Sequence, residues 1–424
     1  VYVPGDTSNS GISGTAQSEQ VGASFTVTVR LVDSYYNRVP VPSPVPLLRV
    51  RGEDPYATIP ADVSLSTGEY AFNNFYFKKA NASPGWRIFA TTAPGSAVTN
   101  IAWSTSPFIV APATTTSRLL VILPNETHDP GNESNNGKYG TASHAASGSN
   151  YRVTVLATDR FYNIQSATDT AVFVDTPDPY DVHPATVALS GGTTTFDVVF
   201  RTATSDPDVP RGPWFVRSAT ATSSILQEYQ TGSVIVDAGQ AVKLLVVSPG
   251  TSHEPGSSLG YTGTVSTQSA GSNFTVTVKV VDQYNNRNLT APANIGLASN
   301  DPHDETRLLQ AQSTTEGKAQ FTGALLRTVN RAGDSLPAYS PQGWVISAST
   351  TAGTLYTPGF CAPVPTTGGQ ATRLMVLMPG EALDEGNVTT GGKNLANPPS
   401  TLRAGTTYTA IINATDDSYN VDTT

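Results

Sequence analysis

One pattern of residues recurs four times along the chain, and it constrains the fold more than any other feature of the sequence. Each copy opens with an apolar segment that stops at a proline, and these prolines are Pro4, Pro124, Pro249 and Pro379. They lie roughly 120 to 130 residues apart, which is the size of one sandwich domain and far above the period of a solenoid. The 424 residues are therefore expected to form a string of separate domains.

The clearest strand of each copy begins with an aromatic residue three positions after a glycine. In the first copy the apolar residues that start at Phe25 alternate with polar ones, and the same alternation starts at Tyr151 and at Phe274. A strict period of two places one face of a strand in the core and the other in water. We therefore predict that these three aromatic residues are core residues.

Each of these strands ends in the same motif: an Asp, an aromatic residue two positions later, and an Asn four positions later. The copies occupy residues 33–37, 159–163, 282–286 and 416–420, and in the last the aromatic residue is displaced by one position. Asp and Asn side chains cap turns and tolerate a left-handed backbone. The motif predicts the hairpin by which the chain leaves the strand.

Two further markers recur in the three longer copies. An Asp-Pro pair follows a later strand, with its acids at Asp54, Asp178 and Asp301. A strand led by tryptophan comes next, at Trp86, Trp214 and Trp344. In the first copy Trp86, Ile88 and Ala90 are expected on one side of that strand. A large aromatic residue within a strand is typical of a sandwich core, so we predict that the three tryptophans are core residues.

The predicted fold is all-β, a tandem array of immunoglobulin-like β-sandwich domains. Abundant glycine (36) and proline (31), with only 13% charged residues, fit short strands joined by turns. Three domains are complete, over residues 1–113, 114–240 and 241–370, and residues 371–424 hold the first strands of a fourth. Short linkers between rigid domains predict a semi-stiff rod. The fourth domain needs completion, either by more chain, the favoured reading, or by strands of a neighbouring copy.

The repeat resembles the bacterial immunoglobulin-like repeats of the Big and invasin type, which occur in tandem in large secreted surface proteins. The resemblance rests on residues 274–278 running into the motif at residues 282–286, and it is strongest in the first half of each copy. It implies spacers, adhesive tips, or subunits of surface layers and filaments. The motif is specific for a fold rather than for a role, because one sandwich hosts many functions.

Charge and composition disfavour several classes of function. The net charge of −9 and the pI near 5.0 disfavour nucleic acid or an anionic membrane as a partner. No apolar run is long enough to span a bilayer, and the single cysteine, Cys361, cannot form a disulfide within the chain. Of the five histidines, His128 and His253 alone fall at equivalent positions, so we predict no catalytic site and no enzyme activity.

Calcium is the one cofactor that the residue types suggest, because hard cations bind carboxylate, amide and carbonyl oxygens. Turn capping explains the same residues without a metal and is the favoured interpretation. The candidate ligands are Asp33, Asn37, Asp159, Asp178, Asp181, Asp282, Asp301 and Asp304, with Glu305 beside the last.

The predicted function is that of an extracellular or cell-surface structural protein, a rod, filament, sheath or surface-layer component that assembles with copies of itself. The alternative is an adhesin or glycan-binding array, in which hairpin aromatics stack on sugar rings. The aromatic candidates are Tyr35, Tyr36, Phe161, Tyr162 and Tyr284. The candidate glycosylation sequons lie at Asn125, Asn132, Asn288 and Asn387, and the first two, in the loop after the proline, are the best placed.

Overall fold

A computed structural model describes residues 1–8, 11–98, 102–105, 108–113, 115, 118–166, 170–221, 226–304, 309–330 and 342–422. Over these ranges the ordered elements are strands. None of the described residues belongs to a helix of the length and apolarity needed to cross a membrane. Repeats 1 to 4 below denote residues 1–113, 114–240, 241–370 and 371–424.

The strands of repeat 1 are short and joined by turns. They are β1 (Asp6–Ser8), β2 (Ile12–Gly14), β3 (Glu19–Gln20), β4 (Phe25–Arg30), β5 (Leu47–Gly52), β6 (Val63–Ser64), β7 (Glu69–Phe75), β8 (Asn81–Trp86), β9 (Ile88–Thr92), β10 (Ala102–Ser104) and β11 (Phe108–Ala111). Strands β4 and β7 pair, strands β10, β9, β5 and β6 form a second sheet in that order, and β11 lies between β3 and β8.

Repeat 2 shows the sandwich most completely. Its strands are β12 (Arg118–Ile122), β13 (Thr127–His128), β14 (Lys138–Tyr139), β15 (Ala145–Ala146), β16 (Tyr151–Thr158), β17 (Ala171–Asp175), β18 (Val187–Ala188), β19 (Thr193–Val198), β20 (Arg217–Thr220), β21 (Tyr229–Gln230) and β22 (Val236–Asp237). One sheet has the order β12-β16-β19 and the other β18-β17-β20-β21, and β15 pairs in parallel with β22.

Repeat 3 has the same order of strands in its sheets. Its strands are β23 (Lys243–Val247), β24 (Thr251–His253), β25 (Tyr261–Gly263), β26 (Gln268–Ser269), β27 (Asn273–Val281), β28 (Asn294–Ser299), β29 (Gln312–Ser313), β30 (Lys318–Leu325), β31 (Ile346–Ala352), β32 (Gly359–Phe360) and β33 (Thr366–Thr367). The two sheets are β23-β27-β30 and β29-β28-β31-β32. The prediction of an all-β array of immunoglobulin-like sandwiches is confirmed.

The described residues of repeat 4 form four strands. They are β34 (Arg373–Leu377), β35 (Ala382–Leu383), β36 (Lys393–Asn394) and β37 (Ile411–Thr415). Strand β34 pairs with β37, and the apolar face of this pair is open, with Leu374 75% and Ile412 64% exposed. The corresponding face of repeat 2 is buried, since Leu119 and Val155 are fully covered by the second sheet.

The alternating strands place their apolar faces in three separate core clusters. Phe25, Tyr151 and Phe274, which begin these strands, are all at most 8% exposed. Burying one such side chain contributes about 1.5–3 kcal/mol. Trp214 (7% exposed) and Trp344 (0% exposed) also lie in these cores, as predicted.

The prediction for the tryptophan strand of repeat 1 is wrong in two respects. Trp86 is half-buried and packs against the edge of the core cluster rather than within it. It ends β8, which pairs with β11, whereas Ile88 begins β9, which pairs with β5 in the other sheet. The chain therefore crosses between the two sheets at Arg87, so Trp86 and Ile88 do not share one strand face.

Candidate functional site: the junctions between repeats

The Asp-x-x-x-Asn motif forms the predicted hairpin, and we call it the clasp motif. In repeat 2 a carboxylate oxygen of Asp159 accepts hydrogen bonds from the backbone N–H groups of Phe161 (2.8 Å) and Asn163 (3.0 Å). The residue three positions after the Asp has a left-handed φ in every copy, namely Tyr36 (64°), Tyr162 (66°), Asn285 (64°) and Tyr419 (64°). Tyr419 thus matches Tyr36 and Tyr162, and the fourth copy differs by carrying Ser418 in place of the preceding aromatic residue.

In repeats 2, 3 and 4 the Asn that ends the clasp motif binds the main chain of the preceding repeat. In repeat 3 the amide nitrogen of Asn286 donates to the carbonyl oxygen of Arg201 (2.8 Å), and its amide oxygen accepts from the N–H of Ala203 (2.7 Å). Asn163 binds Lys78 and Ala80 in the same way, and Asn420 binds Arg327 and Val329. A side-chain amide thus pairs with backbone groups two residues apart, as a neighbouring strand would.

We call the bound backbone the receiving segment, which comprises residues 78–80, 201–203 and 327–329. The other two markers of the repeat hold it in place. In repeat 2 Asp178 accepts the N–H groups of Arg201 (2.8 Å) and Thr202 (2.9 Å), and the indole of Trp214 donates to the carbonyl of Thr202 (2.8 Å). Asp54 with Trp86, and Asp301 with Trp344, make the equivalent bonds.

Three markers that lie far apart in the sequence therefore meet at one point of the structure. The Asp of the Asp-Pro pair and the tryptophan bond some of the backbone N–H and carbonyl groups of the receiving segment. The Asn of the next repeat bonds one further carbonyl and one further N–H. An unpaired buried backbone group costs about 1–3 kcal/mol. Each junction thus depends on residues from both of its repeats.

The clasp motif also holds the linker between repeats. The second carboxylate oxygen of Asp282 accepts the N–H of Gly239 (2.8 Å), which lies in the linker before repeat 3. Asp159 accepts the N–H of Ala113, and Asp416 that of Gly369. One carboxylate therefore ties the linker to the hairpin that contacts the preceding repeat, which restricts rotation between the two domains.

A glycine is required where the clasp motif approaches the preceding repeat. Gly148 has a φ of +75°, and a Cβ built there would lie 2.1 Å from the ring of Tyr284. The same approach occurs between Gly22 and Phe161 and between Gly271 and Ser418. These glycines precede the first aromatic strand of each repeat. Their left-handed φ accounts for the recurrence, since Gly405 shares it with nothing within 4 Å, and contact with the next repeat is a second reason for glycine at the three junctions.

The aromatic residue of the clasp motif packs against the preceding repeat, not over its own sandwich. Phe161 is 2% exposed and belongs to the core cluster of repeat 1, where its ring lies 6.4 Å from that of Tyr76. Tyr284 is half-buried, with the guanidinium of Arg201 5.2 Å from its ring centre. Phe161 is therefore not available to stack on a sugar.

The junction between repeats 2 and 3 adds a buried ionic cluster. Asp206 of repeat 2 is 3.3 Å from the ammonium of Lys279 and 2.8 Å from the guanidinium of Arg287, which also pairs with Asp208 at 2.8 Å. Burial opposes ionisation of Asp206, but its bond to His253 and the two nearby cations hold its pKa well below the usual range. Burial lowers the pKa of Lys279. Both charges are almost fully removed from solvent.

The two equivalent histidines support the clasp motif. A ring nitrogen of His128 lies 2.7 Å from the carbonyl of Tyr162, and His253 lies 2.7 Å from the carbonyl of Asn285. Burial lowers the pKa of His128. The sequence singles out these histidines only as catalytic candidates and does not reveal this supporting role. Repeat 4 has Leu383 at this position and lacks the bond.

One more side-chain hydrogen bond joins the two repeats at the edge of each junction. The residue two positions after the Asp of the Asp-Pro pair binds an acid in the loop of the next repeat. The pairs are Tyr56 with Asp129 (2.8 Å), Tyr180 with Glu254 (3.2 Å) and His303 with Asp384 (3.0 Å). The acids of these loops are therefore also junction residues.

The structure places the calcium candidates in these same hydrogen bonds. Asp178 and Asp301 accept backbone N–H groups, Asp159 and Asp282 hold hairpins and linkers, Asp181 accepts the hydroxyl of Thr176 and Asp304 that of Ser299. Asp33 and Asn37 are exposed, and Glu305 lies outside the described residues. Among the residues that the structure describes, no three His, Cys, Asp or Glu side chains are grouped to hold a metal. Calcium binding stays a prediction.

The four sequon asparagines differ in their surroundings. Asn125 is exposed in a loop, with its amide bound to the carbonyl of Thr141 (2.9 Å). The amide nitrogens of Asn132, Asn288 and Asn387 are bound to Asp129, to the carbonyl of Gly239 and to Asp384. Asn125 is the most accessible of the four.

No family model and no curated protein matches this sequence. Solved structures match at low similarity. The FN1–FN3 domains of chicken CNTN1 match over 83% of this chain and 96% of theirs, with 9% identity and a TM-score of 0.25. The native form of E. coli alpha-2-macroglobulin matches over 84% of this chain and 23% of its own, with 10% identity and a TM-score of 0.22. The β-glucuronidase 3 of Bacteroides uniformis covers 45% of this chain and 21% of its own, with 9% identity and a TM-score of 0.19. No functional argument follows from similarity this low.

Proposed function

We propose that this chain is a non-enzymatic extracellular structural protein, a component of a rod, filament, sheath or surface layer. The observation that supports the proposal is the bonding of the clasp-motif Asn to the receiving segment of the preceding repeat. It recurs at three successive junctions with the same atoms bonded. Inter-domain motion is the default for domains that merely follow one another. Here each linker is tied down and each Asn is buried, with Asn286 and Asn420 both 0% exposed. Such junctions fix the orientation of consecutive repeats. A protein that acts as a stiff rod or spacer requires this.

This proposal is tested by double electron–electron resonance, which measures the distance between spin labels placed on exposed strands of repeats 2 and 3. We expect a narrow distance distribution in the native chain and a broad one after Asn286→Ala. The substitution leaves the N–H of Ala203 without a partner and removes one of the two donors to the carbonyl of Arg201, the other being the hydroxyl of Ser147. The free energy that holds the two repeats in one orientation should fall by about 1–3 kcal/mol.

Asn37→Ala is the matched control, since Asn37 holds the same position in an exposed clasp motif. It should leave the distance distribution unchanged. A native distribution as broad as that of Asn286→Ala would exclude a rigid junction. The extracellular location is tested by immunogold labelling of thin sections of source cells, and labelling confined to the cytoplasm would contradict it.

A second candidate function, glycan binding, is favoured by one cleft at the junction of repeats 2 and 3. This cleft has a volume of about 760 Å³ and is lined by three half-buried tyrosines, Tyr180, Tyr261 and Tyr284, beside Arg201 and Glu254. Aromatic faces with polar neighbours are the usual surroundings of a bound sugar. Glycan arrays probed with the native chain and with Tyr261→Ala would show this activity, and a negative result for the native chain would remove it.

A further inference from the structure

Repeat 1 carries a complete clasp motif that the described part of the chain leaves exposed. Asp33 accepts hydrogen bonds from the N–H groups of Tyr35 (2.8 Å) and Asn37 (2.9 Å), so the hairpin already has the shape found at the junctions. Tyr35 is nevertheless 78% exposed, whereas Phe161 at the same position of repeat 2 is 2% exposed. The hairpin is thus formed before any partner covers it.

Two basic residues flank this exposed motif, three positions before its Asp and five positions after it. They are Arg30 and Arg38, and repeat 3 has Lys279 and Arg287 at the same positions. Repeats 2 and 4 have uncharged residues there, namely Leu156, Ile164, Asn413 and Val421. Repeat 1 therefore resembles repeat 3, and not repeats 2 and 4, in carrying two basic side chains beside its clasp motif.

The two basic residues of repeat 3 are buried, but those of repeat 1 are not. Lys279 and Arg287 are 4% and 1% exposed, because the acids of the loop before Trp214 cover them. In repeat 1, Arg30 pairs with Glu69, and Arg38 is exposed and donates to the carbonyl of Thr67 at 2.7 Å. The Arg38 guanidinium therefore faces solvent at the position where Arg287 meets two carboxylates.

An apolar slot opens beside the exposed motif. It has a volume of about 360 Å³ and is lined by side chains that include Val29, Leu31 and Leu48. In repeats 2 and 3 a leucine, Leu119 or Leu244, pairs with the residue that corresponds to Leu31, and both leucines are at most 3% exposed. The slot thus has room for an apolar side chain of an extended segment.

We propose that this face of repeat 1 binds the end of a further repeat whose loop before the tryptophan carries two carboxylates, as residues 206–208 of repeat 2 do. Such an end offers a receiving segment to Asn37, carboxylates to Arg38, and a following strand to the slot. A second copy of repeat 2 does not offer them, because its own Asp206 and Asp208 are held by repeat 3. The inference uses the junction geometry and does not depend on the proposed structural role.

The test uses the full chain with an additional copy of residues 118–245 placed directly before Val1, which then follows Leu245 as Val246 does at the native junction. Hydrogen exchange of residues 33–38 is followed by mass spectrometry. We expect exchange in this segment to slow by about tenfold or more, the usual effect of coupling between residues in contact. Unchanged exchange in a folded insert would overturn the proposal.

Two variants test whether charge is the determinant. The first carries Asp206→Asn and Asp208→Asn in the inserted copy alone, and its protection of residues 33–38 should fall by about tenfold. The second combines Arg38→Glu with Asp208→Lys in the insert, and it should regain protection that Arg38→Glu alone loses. Equal protection by the neutral and the acidic insert would show that any repeat fits, and would overturn the requirement for an acidic loop.

Discussion

The junction between repeats 1 and 2 and the junction between repeats 2 and 3 share the clasp but differ in what surrounds it. In the first, Phe161 fills a place in the core of repeat 1, and apolar Leu156 lies where a cation would be. In the second, Tyr284 is half-buried and the buried ions Lys279 and Asp206 meet instead. The shared part, the clasp motif, binds main-chain groups and sets how the two repeats are oriented. The variable part contacts side chains, and our proposal assigns to it the choice of neighbouring repeat.

Removing the central acid of the ionic junction should have the largest effect. Asp206→Asn leaves Lys279 and Arg287 buried without a full counter-charge, which typically costs about 3–5 kcal/mol. The loss should appear in urea unfolding with hydrogen exchange that resolves the repeats, and it should be confined to repeats 2 and 3.

Asp197→Asn is the control for this substitution, since Asp197 pairs with Arg152 on an exposed strand face. Exposed pairs contribute little to stability, so the urea midpoint should barely move. Similar losses in the two variants would mean that the buried cluster does not distinguish this junction.

The apolar junction should respond most to its aromatic residue. Phe161→Ala leaves a cavity in the cluster of repeat 1 and should lower the free energy of unfolding by about 3 kcal/mol. Tyr284→Ala is the matched change at the other junction and should cost about 1 kcal/mol, since that ring is partly solvated. Calorimetry of the two variants would show this difference, and equal losses would remove it.

The close approach at Gly148 should tolerate no side chain. Gly148→Ala adds a methyl group against Tyr284, whereas Gly405→Ala adds one at a similar φ of +81° with nothing within 4 Å. The two share the cost of a left-handed alanine, so their difference, about 2 kcal/mol, measures the overpacking. Thermal unfolding of both variants would detect it, and equal shifts would show that the junction yields freely.

The smallest effect is a dependence on pH at the apolar junction. Burial lowers the pKa of His128, so the folded chain takes up this proton less readily than the unfolded chain. The stability that neutral His128 contributes should therefore be fully present above pH 6.5. It should be lost as the pH falls below 6.5 and through the lower pKa of the folded chain. Each unit of pKa difference is worth about 1.4 kcal/mol. Urea midpoints of the native chain and of His128→Gln should converge at low pH, and parallel curves would contradict this account.

The array and its alternating strands could be predicted from the sequence, because period-two patterning acts within a few residues of chain. The convergence of Asp178, Trp214 and Asn286 could not, since it joins positions that lie far apart in the sequence and belong to two different repeats. One signal was nevertheless present, an Asn at a fixed position after the Asp, and its reason lies in the neighbouring repeat. The recurring glycine was a weaker signal, because the left-handed φ in the turn of its own repeat already favours glycine. The crossing at Arg87 was missed because alternation continues through it while the pairing partner changes.

The amide of Asn286 recognises a carbonyl and an N–H, groups that every residue except proline presents alike. The amide bonds of such a joint survive duplication, deletion or exchange of whole repeats, because they require no particular side chain on the receiving segment. Recombination can therefore change the length of such a protein in whole repeats wherever the surrounding side chains match, as the acids that face Lys279 and Arg287 do.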